Sequence, residues 1–167
     1  MTVRDAVFPA GRQALYEQNR YSAAVRANGL LFVSGQVGSR EDGSPEPDLA
    51  AQVRLAFTNL NAVLAAAGCT FDDVMDVTVF VVDPEANLPT IWPVMQECWG
   101  PAPHPTLTGV GVTWLYGFQF EIKVVASLPA APGHQGRPPA LVTPHREGSP
   151  LVNASTAATA ASIAPAT

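Results

Sequence analysis

Hydrophobic and polar positions along the first 129 residues fall into a short series of strand and helix patterns. Residues 21–27 and 30–35 read as two strands joined by Asn28-Gly29, the dipeptide that most readily adopts the positive φ angles of a tight type I′ turn. The second strand is apolar through Leu30, Leu31, Phe32 and Val33, then breaks into Ser34-Gly35-Gln36. Such a break is either a plain strand exit or a place where backbone N–H groups and a hydroxyl face a ligand. The residues before the hairpin show little periodicity and are expected to be mostly irregular.

After an exposed loop interrupted by Gly43, Pro45 and Pro47, Asp48 stands as a helix N-cap. Leu49, Val53, Ala56, Phe57, Leu60, Val63, Leu64 and Ala67 then recur at three- and four-residue spacing, which predicts an amphipathic helix ended by Gly68. Its polar face reads as Gln52, Arg54, Asn59 and Asn61. A β-branched run over 74–82 predicts a largely buried strand ending at Asp83-Pro84. Ile91, Met95, Cys98 and Trp99 keep helical spacing, and a short helix is expected from Thr90 to Trp99, with Pro93 tolerated in its first turn. A strand carrying Gly109 and Gly111 follows over 106–113. The clearest alternation is 118–128, with Phe118, Phe120, Ile122, Val124 and Ala126 on one face and Gln119, Glu121, Lys123 and Ser127 on the other. The order β-β-α-β-α-β-β predicts an α+β fold, one sheet with two helices on one face. The face carrying Glu121 then needs a partner.

Composition narrows the picture. With 167 residues and 47% hydrophobic content the chain is sized for one core. From residue 130 onward Pro, Ala, Ser, Thr and Gly dominate, so the domain is placed at 1–129 and 130–167 is expected to be a disordered, low-complexity tail. A net charge of −5 and only nine Lys and Arg argue against a nucleic-acid partner. No stretch has the length and apolarity of a membrane span, and a cytoplasmic location is the expectation. Cys69 and Cys98 are isolated and read as reduced. No His, Cys or carboxylate spacing points to a metal and no Gly-rich loop to a phosphate, so no cofactor is expected.

The segment YSAAVRANGLLFVSGQVG, the strand VTVFVVD and the ending FEIKVVASLP together resemble the RidA/YjgF family, over roughly residues 17–129. AVFPAGRQALYEQNRYSAA, AAAGCTFDD and GVGVTWLYGFQFEIKV are similar to its YjgH-like branch. The resemblance implies a chorismate-mutase-like fold, a homotrimer, and small-molecule clefts between subunits in which imines or enamines are deaminated. It also implies site residues: Glu121 as the catalytic carboxylate, Tyr21, Ser34 and Gly35 as one wall, and Thr108 as a water-positioning residue. Trp92 takes the place of an Asn of the second helix.

Deamination of a 2-imino acid calls for a guanidinium to hold the carboxylate and a carboxylate to orient water. Fifteen residues before Glu121, where the resemblance implies that Arg, the chain has Thr106. A substrate anchored by its carboxylate would be held poorly, so a less anionic, larger or aromatic ligand is expected. Three functions follow: a divergent deaminase, a trimeric metabolite-binding protein without turnover, and the ribonuclease activity attached to some family members. His104, between two prolines, is an acid or base candidate, or a structural loop residue.

Overall fold

The computed structural model describes residues 4–130. The expected low-complexity tail lies, from residue 131 onward, outside the described residues. The elements in chain order are β1 (Asp5–Val7), α1 (Gln13–Gln18), β2 (Ala24–Ala27), β3 (Leu30–Val33), β4 (Gln36–Val37), α2 (Leu49–Ala66), β5 (Val74–Val82), α3 (Pro84–Trp99), β6 (Thr106–Val112) and β7 (Phe120–Ser127). One mixed sheet runs β1-β2-β3-β7-β5-β6, with β4 continuing alongside β7 beyond β3. Only β5 and β6 are parallel, as the intervening α3 crossover requires. This is the expected α+β arrangement.

The β2–β3 hairpin turns at Asn28 and Gly29 with φ of 52° and 77°, both positive as a type I′ turn demands. Asp48 caps α2 by accepting a hydrogen bond from the Ala51 N–H at 2.8 Å. The core lies between the sheet and the two long helices. Val77, Val79 and Val81 of β5 and Phe120, Ile122 and Val124 of β7 meet Val53, Phe57, Leu60 and Leu64 of α2 and Ile91 and Met95 of α3. Each fully buried aliphatic or aromatic side chain contributes about 1.5–3 kcal/mol relative to exposure.

Several expectations need correction. The residues before the hairpin are less irregular than expected: Asp5–Val7 form β1, paired antiparallel with β2, and Gln13–Gln18 form α1. A six-residue helix has too few hydrogen bonds to persist alone. It is held by Tyr16, buried between Phe8 at 6.1 Å and Tyr21 at 5.1 Å between ring centroids. The first hairpin strand begins at Ala24, which leaves Tyr21 in the connection after α1. Helix α3 begins at Pro84, six residues before the expected start, and contains both Pro89 and Pro93. The two prolines lie on the exposed side. The carbonyls they leave without intrahelical partners can face water, while burial of Ile91, Val94 and Met95 on the other side supplies the compensation.

Gln52 does not belong to a solvated face. It is buried at 2% exposure, donating to the Glu46 carbonyl at 2.7 Å and accepting from the Gln119 N–H at 2.8 Å. It therefore ties the 39–48 loop and the entry to β7 onto α2. Both cysteines are free, as expected, with Cys69 buried.

Candidate functional site

Strand pairing decides which side chains share a surface. Register partners point to the same face of a sheet, and neighbours along a strand to opposite faces. Val77 pairs with Leu107 and lies in the core, so Leu107 is on the helix side. Asp76 pairs with Thr106, Thr78 with Thr108 and with Lys123, and Phe80 with Glu121. Thr106, Thr108 and Glu121 are therefore on the open face, which no helix among the described residues covers.

Glu121 lies over the chain crossing from β3 to β4. A Cβ built at Gly35 would overlap the Glu121 carboxylate, so Gly35 is the only residue that leaves the side chain this position. Glu121 has no ion-pair partner among the described residues. Half-buried beside uncharged neighbours, its carboxyl is raised above the ordinary glutamate value by desolvation. Tyr21 stands close by: its hydroxyl is raised first by burial, then by Tyr16, then by the negative charge of Glu121.

The Ser34-Gly35 segment is fixed from below. The Ser34 hydroxyl donates to the Ser22 carbonyl at 2.7 Å, and the Ser34 N–H donates to the Ala23 carbonyl at 2.9 Å. Gln36, buried at 4% exposure, donates from Nε2 to the Ser34 carbonyl at 2.9 Å and accepts the Tyr16 hydroxyl at 3.3 Å. This bond sets the plane of the Ser34–Gly35 peptide next to Glu121. Neither Tyr16 nor Gln36 was among the sequence candidates. The signal available was a glutamine three residues after an apolar strand, a residue that burial forces to find partners.

The structure thus brings Tyr21, Ser34, Gly35 and Glu121 together. Trp92 stands apart on α3, on the helix side of the sheet and 46% exposed. Its neighbours on β6 are Leu107 and Gly109, not Thr106 or Thr108. Thr106 is further occupied, its hydroxyl bonded to Asp76 Oδ1 at 2.6 Å and the Met75 carbonyl at 3.1 Å. Thr108 is an exposed strand residue of the open face. His104 Nε2 bonds to the Gly100 carbonyl at 3.1 Å within its loop. No group of three His, Cys, Asp or Glu among the described residues could hold a metal ion. No helix among them is long and apolar enough to cross a membrane.

The sequence pattern described as endoribonuclease L-PSP matches residues 11–128. The chain belongs to this family, the RidA/YjgF family. It is 64% identical over 129 residues to the RutC family protein YjgH of Escherichia coli (strain K12), spanning 77% of this chain and 98% of that one. A solved structure of protein YJGH superposes with a TM-score of 0.74 at 62% identity, covering 78% of this chain and 100% of the other. A more distant RidA/YjgF relative, 33% identical over 97 residues, is the 2-iminobutanoate/2-iminopropanoate deaminase of Dermatophagoides farinae, with 57% of this chain and 74% of that protein covered. Some RidA/YjgF relatives of this chain are thus named as imine deaminases.

Proposed function

We propose that this protein is a homotrimeric small-molecule protein whose intersubunit cleft supports hydrolytic C–N chemistry on an imine or enamine. The observation that carries this reading is the Glu121 carboxyl, desolvated, without an ion-pair partner among the described residues, and lodged against Gly35 beside Tyr21. A desolvated carboxyl is a stronger base than a solvated one and can take up a proton and then return it. Glu121 takes a proton from water as the water oxygen bonds to the imine carbon. Glu121 returns that proton to the nitrogen, giving a carbinolamine; the carbinolamine hydroxyl then gives up its proton, which the same carboxyl passes to the nitrogen as the carbon–nitrogen bond breaks, so that ammonia leaves and the water oxygen becomes the carbonyl oxygen. Assembly is part of the reading. Glu121 and Trp92 lie on opposite faces of the sheet in one copy, so they border a common cleft only where two copies meet.

A second reading, a trimeric metabolite-binding protein without turnover, is favoured by one fact: Glu121 has no other acid or base bonded to it among the described residues. Ribonuclease activity, the sense of the family description, fits poorly with a net charge of −5. Ammonia release from carboxylate-free imines generated in situ by an amine oxidase, compared for the wild type and Glu121→Gln, separates these readings. An enzyme loses turnover by orders of magnitude in the variant, whereas a binder shows only altered affinity and no ammonia above the uncatalysed rate. Light scattering gives the oligomer mass in the same samples.

A further inference from the structure

The connection from β6 to β7, residues 113–118, crosses the end of β5. There Val82 is flanked by its register partner Val112 and by Gln119, whose carbonyl accepts the Val82 N–H at 3.1 Å. Leu115 and Phe118 form an antiparallel bridge, and between them Tyr116 and Gly117 turn the chain with φ of 53° and 92°. Two successive positive angles make a type I′ turn, which favours Asn, Asp or Gly in its first central place. The β2–β3 hairpin keeps to that rule with Asn28. Tyr116 departs from it, and its β-carbon is strained there.

Trp114 and Tyr116 are also the two most exposed large hydrophobic side chains among the described residues, at 62% and 79%. Their ring centroids are 4.1 Å apart. The turn beneath them is anchored: Leu115 is buried, and Gln52 of α2 accepts the Gln119 N–H at 2.8 Å. Exposure and strain both oppose folding, and strain kept at a surface turn points to a contact made outside the chain.

The surroundings set the charge of that contact. No Lys or Arg occurs between Arg54 and Lys123, so β5, α3, β6 and the turn carry none. Asp83 directly follows Val82, and Glu85 stands in the first turn of α3; both are exposed, with no ion-pair partner among the described residues. Asn87 holds that helix start at the same end of the sheet by donating to the Val82 carbonyl at 2.6 Å. Indole and phenol faces beside free carboxylates attract a cation, and a planar guanidinium stacks on them best. The cavities beside α3 and β6 border neither ring. A projecting turn gives a free amine no enclosure, whereas a protein segment can cover both rings.

We infer that Trp114 and Tyr116 form a docking surface for an arginine-bearing segment of a partner protein, with Asp83 and Glu85 as counter-charges. Trp, Tyr and Arg are the residue types on which protein interfaces most often anchor. Docking there requires no turnover at Glu121.

Calorimetric titration of the full chain with acetylated tetra-arginine amide tests this, in about 0.15 M salt to screen the net charge of −5. Tetra-citrulline, similar in shape and uncharged, is the control. Saturable binding of tetra-arginine is expected, roughly tenfold or more tighter than that of tetra-citrulline. Trp114→Ala, which leaves the net charge unchanged, should weaken it by roughly tenfold. Asp83→Asn combined with Glu85→Gln should weaken it by about threefold. Tyr116→Asn, which suits the turn, should weaken binding without lowering the denaturation midpoint. A lowered midpoint would mark the ring as a folding contact and overturn the inference. Undiminished binding by Trp114→Ala leaves only attraction to net charge and overturns it, as does no binding of tetra-arginine by the wild type. Free arginine amide bound as tightly as the tetrapeptide overturns the protein partner. A smaller mass for Trp114→Ala in light scattering places the rings between copies of this chain and overturns it as well.

Discussion

Gly35, in the crossing from β3 to β4, is in direct contact with Glu121 of β7, whose carboxylate fills the space that a side chain at position 35 would need. Gly35→Ala should therefore displace Glu121 or the 34–36 segment. Overpacking of this kind costs about 1–3 kcal/mol. Chemical denaturation measures that loss, and any ammonia-releasing activity should fall with it.

Burial holds the Glu121 carboxyl above 4.5, its ordinary value. The folded protein then binds this proton more tightly than the unfolded chain, so its contribution to stability is complete below the unfolded value and declines as pH rises through the folded one. Glu121→Gln has no proton to lose. Denaturation midpoints taken as pH rises from below 4.5 should shift progressively in favour of the variant. Parallel curves for the two proteins would contradict the shift.

Gln36 serves two groups, Tyr16 and the Ser34 carbonyl, while Tyr16 donates to only one. Gln36→Leu should consequently cost more than Tyr16→Phe, because each buried polar group left unpaired costs about 1–3 kcal/mol. A double-mutant cycle read by urea unfolding should show the two changes to be non-additive. If the pair also sets the Ser34–Gly35 peptide, both variants should weaken ligand binding without any change at Glu121 itself.

Gln52 bridges the Glu46 carbonyl and the Gln119 N–H from inside the fold. Gln52→Leu keeps the bulk and removes both bonds, with an expected loss of about 1–3 kcal/mol for each orphaned group. Hydrogen exchange should rise locally at Gln119 and across the 39–48 loop. A solvated glutamine, as helical spacing alone implied, would show neither effect.

The local elements were legible where a short-range rule decides them. Asn28-Gly29 dictates its turn through φ angles that few other pairs adopt, and Asp48 caps α2 with its own side chain. Residues 74–82 and 120–127 reveal strands through β-branching and strict alternation. Glu121, Tyr21, Ser34 and Gly35 were legible as one group through family resemblance, and the fold brings them together.

Tertiary structure decided what local rules leave open. Helix α1 exists because Tyr16 finds Phe8, Tyr21 and Gln36, and α3 retains two prolines because its opposite side is buried. Alternation along β6 established that Leu107 and Thr106 point to opposite faces, but not which face the helices cover. The pairing of Leu107 with buried Val77 settled that, since a strand's own sequence carries a period of two and no absolute direction. The desolvation of Glu121 likewise arises from contacts distant in sequence, because the dielectric around a charge depends on what folds over it and not on its neighbours along the chain.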